Sequence, residues 1–178
     1  MPTIQIQDKL FELFITEKEI VSAVECMAQK ITVDMQDKEP LFIPILNGSF
    51  MFAAELLKNI KLPCRVSFVR LQSYKGTNTS AKIEEIYSFA DNIEGKNVII
   101  IEDIIDTGYT IYHLLCQLHK QKPMSVQIAT LLFKPSALLV NVLPDYFAFK
   151  IPTDFVVGYG LDYDGYGRNL RDIYKIKN

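Results

Sequence analysis

Apolar residues recur at helical spacing from Thr16 to about Lys30, where Ile20, Val21, Val24, Met27, Ala28 and Ile31 fall on one stripe. Thr16, followed three positions later by Glu19, forms a capping-box pattern that supplies partners for the first free amides of that helix. Leu41 to Leu46 is a short apolar run behind Pro40 and predicts a buried strand. A second helix is predicted after it, with Phe50, Ala53, Ala54 and Leu57 on one face. Further strands are predicted at about Arg65 to Leu71, Val98 to Ile101, Val126 to Phe133 and Phe155 to Tyr159, and a helix from about Thr110 to Gln121. The β-branched run Val98-Ile99-Ile100-Ile101 is the pattern of a strand covered on both faces. Strands alternating with helices predict an α/β fold around a largely parallel sheet. Gln72 to Lys82 breaks the alternation, being polar and without period. So long a loop inside a compact domain is usually functional, often a mobile lid.

At 178 residues, without internal repeat or linker, the chain reads as a single domain spanning 1–178, large enough to bury about 70% of its unfolded surface. The 19 basic and 21 acidic residues leave a net charge of −2, without the basic excess of a nucleic-acid binder. Cys26, Cys64 and Cys116 are scattered and odd in number, and read as buried small hydrophobes in a reducing compartment. The N-terminus lacks a signal pattern and no apolar run approaches a membrane span, so a cytoplasmic protein without membrane partners is expected. His113 and His119 lie outside any ligand or nucleophile arrangement and are expected to be solvated or partly packed.

The run Ile101-Glu102-Asp103-Ile104-Ile105-Asp106-Thr107-Gly108 concentrates the chemistry. Ligands of open α/β sheets gather beyond the carboxyl ends of strands, and Glu102 and Asp103 are read as standing at such an end. Gly108 lets the following loop curl, so that its amides, Thr107, Thr110 and the next helix start converge as an anion site. Carboxylates beside a phosphate site are consistent with a ligand that also carries hydroxyls and a divalent cation. A phosphorylated ribose with Mg2+ meets all three conditions. The plain alternative is an ordinary strand-to-helix turn with Asp106 or Thr107 as the helix cap.

Taken whole, the run resembles the phosphoribosyl-pyrophosphate signature of type I phosphoribosyltransferases, and Glu-Asp-Ile-Ile-Asp-Thr-Gly is close to the form of the hypoxanthine-guanine branch. The resemblance extends from about Leu41 to Arg168. It implies the type I fold, a mainly parallel twisted sheet flanked by helices, with a small hood from the N- and C-terminal segments and a flexible loop at about 72–85. It also implies transfer of a 5-phosphoribosyl group from phosphoribosyl pyrophosphate to N9 of hypoxanthine, guanine or both, with Mg2+, in purine salvage. Glu102, Asp103, Asp106, Thr107, Gly108, Tyr109 and Thr110 would hold the ribose 5-phosphate, and Leu46, Asn47, Gly48 and Arg168 the pyrophosphate. The 46–49 loop of this family often includes a non-proline cis peptide. Ser73 and Tyr74 match the pair that closes over the site. Lys134 resembles the lysine that meets the purine O6, and independently an ammonium, which only donates, suits an oxo group and opposes the amino group of adenine. Phe155 would stack on the base, and the Val156 backbone would meet its polar edge. Asp162 would lie at the purine and hold a second Mg2+, alongside Glu102 and Asp103 as metal residues. Asp106 would accept the N7 proton or hydrogen bond as N9 attacks, although an ordinary carboxylate is a weak base. The family forms dimers and tetramers. Tyr109 and Asn47 stand where many relatives carry lysine or arginine. The competing readings are a phosphoribosyl-pyrophosphate sensor without catalysis, which would want a basic face, and a transferase preferring xanthine.

Overall fold

The computed structural model describes residues 2–73, 83–85 and 92–177. The first 15 residues, passed over by the helix and strand pattern, form a hairpin of β1 (Thr3–Ile6) and β2 (Lys9–Ile15). Helix α1 (Glu17–Asp34) follows, and Thr16 caps it as its sequence requires: the hydroxyl accepts from the Glu19 amide at 3.4 Å while Glu19 accepts from the Thr16 amide at 2.9 Å. Such a cap contributes about 1 kcal/mol. The stripe Ile20, Val24, Met27, Ala28 and Ile31 is buried, each side chain contributing roughly 2 kcal/mol.

Strand β3 (Leu41–Leu46) leads into α2 (Phe50–Asn59), as the pattern predicts. The predicted strand over Arg65–Leu71 is two pieces, β4 (Arg65–Val66) and β5 (Val69–Ser73), both parallel to β3 on one edge. The cause lies in β3. The Phe42 carbonyl accepts from Ser67 on that edge, so two residues on Pro44 faces the same way with no N–H to donate, and the ladder breaks opposite it. Strand β6 (Ile83–Glu85) pairs antiparallel with β5. The expected loop at 72–85 is therefore strand at both ends, with Gln72 opposite Glu84 and Ser73 opposite Ile83.

Strand β7 (Asn97–Ile105) runs four residues past the predicted end at Ile101, because its ladder with β8 (Ser125–Phe133) continues through Ile104 opposite Leu132 and Ile105 opposite Phe133. Glu102 and Asp103 thus sit within the strand and not beyond it. Helix α3 (Tyr109–Lys120) crosses between them, and β9 (Tyr146–Lys150) completes the sheet beside β8. Among the described residues the sheet has the order β6-β5-β3-β7-β8-β9, parallel except for β6, with β4 beside β3. Successive residues of its central strands face opposite cores. Phe42, Ile99 and Ile101 pack with α1 and α2, whereas Leu41, Ile43, Val98 and Ile100 pack with Ile111, Leu114 and Leu118 of α3.

The chain ends in β10 (Val156–Val157) and β11 (Ile173–Ile176), which join β1 and β2 in a four-stranded antiparallel sheet of order β1-β2-β11-β10. Phe155 precedes β10 instead of belonging to it. The three cysteines are exposed, contrary to the expectation of burial. Cys26 and Cys116 occupy helix positions that the apolar stripes of α1 and α3 skip. His113 and His119 are exposed, as expected. No described helix is long and apolar enough to cross a membrane.

Candidate active site

Strands β3, β7 and β8 are parallel, so their carboxyl ends lie along one edge, where ligands of such sheets gather. Leu46 to Gly48 leave β3, Asp106 to Gly108 leave β7, and Lys134 leaves β8.

The loop after β3 contains a cis peptide between Leu46 and Asn47. Its floor is Ser49, fully buried, whose hydroxyl donates to the Ile45 carbonyl at 2.6 Å. Asp103 presses on this loop so closely that a methyl group at Gly48 would overlap its carboxylate. The Gly48 carbonyl in turn meets Gly160, where φ is +101° and any side chain would collide with that oxygen. Two chain segments more than a hundred residues apart thus meet at glycine, which alone leaves the room.

Glu102 and Asp103 are largely buried neighbours. Glu102 is only 8% exposed, and its Oε2 has no hydrogen-bond partner. Loss of solvent, reinforced by Asp103, pushes its carboxyl well above the usual range. Burial likewise pushes Asp103 up to about 6, against the opposing pull of the Ile104 amide, 2.9 Å from Oδ1, and of Arg168. An orphaned buried carboxylate oxygen beside a second carboxylate is a hard-oxygen donor set lacking a positive partner, which suits a divalent cation. Among the described residues no group of three or more potential ligands occurs.

Beyond β7, Gly108 caps α3 with φ +85°, and no side chain bonds the helix's first amides. The ordinary turn capped by Asp106 or Thr107 is therefore not what forms. Thr107 is exposed, its carbonyl accepting from the Leu139 amide at 3.0 Å, and Tyr109 is 45% exposed at the first helical position. Thr110 is partly buried one residue on. The free amides and the helix dipole make this an anion-binding end.

Lys134 is 5% exposed, and its ammonium donates to Asp106 Oδ2 at 2.8 Å, while the Asp106 carboxylate is half exposed. The lysine expected at the O6 position and the carboxylate expected at N7 are thus one ion pair, a contact no sequence pattern announces.

Arg168 bonds Asp162 Oδ1 at 2.5 Å and the Gly160 carbonyl at 2.7 Å, and Asp162 Oδ2 accepts from the Gly165 amide at 2.7 Å. Both carboxylate oxygens of this expected metal residue are engaged within the protein. Phe155 is 43% exposed and makes an edge contact with Tyr163 at 5.9 Å, while Val156 is buried in β10 opposite Lys175. The turn between β1 and β2 joins this corner. Asp8 accepts from the Tyr163 hydroxyl at 2.8 Å, and the Lys9 ammonium lies 4.7 Å from the Tyr163 ring centroid and 5.9 Å from that of Phe155. Lys9 and Phe11, the latter 6.3 Å from Phe155, escaped the motif reading, whereas Tyr163 closes the run from Phe155 that resembles the base pocket. The alternation Ile4-Gln5-Ile6 and Leu10-Phe11-Glu12-Leu13, broken by Gln7-Asp8, was the available signal for this hairpin. Ser73 ends β5, and Tyr74 lies outside the described residues. A surface hollow of about 550 Å³ near Thr32, Met35, Lys61 and Pro63 contains none of these side chains and no convergent chemistry.

Residues 15–164 match the family model described as a phosphoribosyl transferase domain. A hypoxanthine-guanine phosphoribosyltransferase of Streptococcus agalactiae is 39% identical over 166 residues, covering 93% of this chain and 92% of its own. A hypoxanthine phosphoribosyltransferase structure from Staphylococcus aureus superposes with a TM-score of 0.89 at 37% identity, covering 93% of this chain and 91% of its own. One of a hypoxanthine-guanine phosphoribosyltransferase from Bacillus anthracis gives 0.87 at 35%, covering 94% and 97%.

Proposed function

The chain belongs to the phosphoribosyl transferase domain family, and on that premise we propose that it is a purine-salvage enzyme, carrying the 5-phosphoribosyl group of phosphoribosyl pyrophosphate to N9 of hypoxanthine or guanine and releasing pyrophosphate. The observation that carries this reading is the Lys134–Asp106 pair, a donor and an acceptor 2.8 Å apart beside an uncapped helix start. A 6-oxopurine in its N7–H form offers the complementary pair on one edge, O6 accepting and N7–H donating. In that form N9 keeps a free lone pair for attack. Adenine offers an amino group where Lys134 can only donate, so the same pair opposes it.

Each residue then has a task. The α3 amides with Thr107, Gly108, Tyr109 and Thr110 hold the 5′-phosphate, and Glu102 and Asp103 receive the ribose hydroxyls. Phe155 supports the base face and the Val156 backbone meets its polar edge. The Leu46–Gly48 amides and Arg168 take the pyrophosphate. For Arg168 this means exchanging Asp162 for a phosphate oxygen, which frees the Asp162 carboxylate for a cation. Glu102, Asp103 and Asp162 are the groups that would hold Mg2+, whose contribution is to neutralise the charge of the departing pyrophosphate. In the transfer the N9–C1 bond forms and the C1–pyrophosphate oxygen bond breaks. The carboxylates beside the ribose stabilise the positive charge that develops there. The N7 proton passes to, or stays hydrogen-bonded with, Asp106.

Replacing Lys134 with Ala tests the pairing. The efficiency ratio of hypoxanthine over adenine should fall by at least about tenfold, the value of one charge-assisted hydrogen bond. An unchanged ratio would reject Lys134 as the O6 donor.

A further inference from the structure

We infer that Asp8, in the turn between β1 and β2, is a positioning residue for the purine base: through the Tyr163 hydroxyl it holds the ring against which Phe155 is set. The inference rests on the purine-transfer reading above and deepens it.

Phe155 is 43% exposed and lies just before β10, so its own strand does not fix its ring. Its neighbours do. Phe11, fully buried in β2, stands 6.3 Å away between centroids, and Tyr163 stands 5.9 Å away at 82°. Phe11 and Tyr163 are 6.2 Å apart, so the three rings close a triangle. Tilted and edge contacts of this kind are directional, and a ring held by two of them keeps its plane. Burial anchors Phe11. Tyr163 has no such anchor, because it opens a tight turn whose backbone bonds are spent within the turn. Tyr163 and Tyr166 exchange N–H···O bonds at 2.9 and 3.0 Å across Asp164 and Gly165, which fixes the turn's shape and not its place.

Its place is fixed by the β1–β2 turn. Ile6 and Lys9 face each other across Gln7 and Asp8, with Gln7 at φ +53°, a two-residue connection that sets the position of Asp8. Asp8 accepts from the Tyr163 hydroxyl at 2.8 Å, and among the described residues no other side-chain hydrogen bond joins the two turns. Ile6 packs at Gly167, where an added methyl carbon would stand 3.1 Å from its Cδ1. The two contacts divide by position. Ile6 steadies the segment beside Arg168, and Asp8 steadies it at Tyr163, beside the base platform. Asp8 lies outside the 15–164 segment that matches the family model, so this support comes from beyond the matched domain.

A platform already in place spares the base the cost of ordering it on binding. Loss of the Asp8–Tyr163 bond therefore weakens capture of the purine and leaves phosphoribosyl pyrophosphate, held at the β3 and β7 ends, as it was.

The test measures kcat and both KM values, for hypoxanthine and for phosphoribosyl pyrophosphate, in the wild type, Asp8→Ala, Tyr163→Phe, their double variant and Asp8→Asn. The KM for hypoxanthine should rise about fivefold in each of the first two and no further in the double variant, since both remove one bond. The kcat and the KM for phosphoribosyl pyrophosphate should stay within about twofold. Asp8→Asn, which keeps an acceptor oxygen, should return the KM for hypoxanthine to within about twofold of wild type. An unmoved KM for hypoxanthine in Tyr163→Phe overturns the assignment, as do rises that multiply in the double variant or an equal rise in both KM values. So does an Asp8→Asn variant as impaired as Asp8→Ala. Failure of the wild type to convert hypoxanthine would instead overturn the purine-transfer reading.

Discussion

Asp106 and Lys134 divide their burial unequally, the carboxylate half exposed and the ammonium almost wholly enclosed. A buried ammonium without a partner is costly, so Lys134 needs the Asp106 carboxylate opposite it as much as Asp106 depends on Lys134 for its position. Asp106→Asn keeps the shape but replaces an acceptor-only group with one that also donates. Turnover of hypoxanthine should fall by roughly 100-fold or more, while the dissociation constant of phosphoribosyl pyrophosphate, measured by calorimetry, moves little. Turnover within threefold of wild type would remove Asp106 from the chemistry. Most of these residues were legible by type and order, because Glu-Asp-Ile-Ile-Asp-Thr-Gly is long enough to be specific. Their pairing was not. That Lys134 meets Asp106, and Arg168 meets Asp162, depends on how far apart the strand ends stand, which a one-dimensional pattern does not encode.

At the scale of the element, β7 does two jobs. Its first half is core on both faces, and its second half carries Glu102 and Asp103 while still paired to β8. Keeping those carboxylates inside a strand is what raises their pKa values. The folded protein keeps a proton on Asp103 that the unfolded chain releases, so burying Asp103 contributes a stability cost that grows as pH rises from about 4 and is complete above its value of about 6, and the raised Glu102 adds a cost of the same sign. Asp103→Asn should therefore raise stability at pH 7.5, by at most roughly 3 kcal/mol, and by only about half as much at pH 5. Equal effects at both pH values would contradict the account. In the wild type, Mg2+ together with phosphoribosyl pyrophosphate should stabilise at pH 7.5 more than either alone, since each compensates the other's charge. The α1 cap and β3 were readable to the residue; α2 was readable in place but not in face, since Phe52, Ala53 and Leu56 are buried while Phe50 and Ala54 of the expected face are exposed, and the end of β7 was misplaced because charged residues usually signal a strand's end. The ladder with β8 overrode that local signal.

For the whole molecule, the proposed reading divides the labour between the parallel sheet, whose strand ends would hold phosphate, ribose and cation, and the antiparallel sheet of N- and C-terminal strands, beside which Phe155 and Tyr163 would meet the base. The parallel part was legible because βα alternation is a local, repeated signal. The hood was only an inference from resemblance, since its strands are short, separated by most of the chain and paired across it, as β2 is with β11. The two meet where Gly48 touches Asp103 and Gly160. The claim on which everything else depends is the reaction itself. Purified protein with Mg2+ and phosphoribosyl pyrophosphate should convert hypoxanthine, followed by its change in ultraviolet absorbance, to a nucleoside monophosphate with one pyrophosphate released, and should convert adenine far more slowly. Absence of nucleotide from hypoxanthine, guanine and xanthine alike would contradict the account.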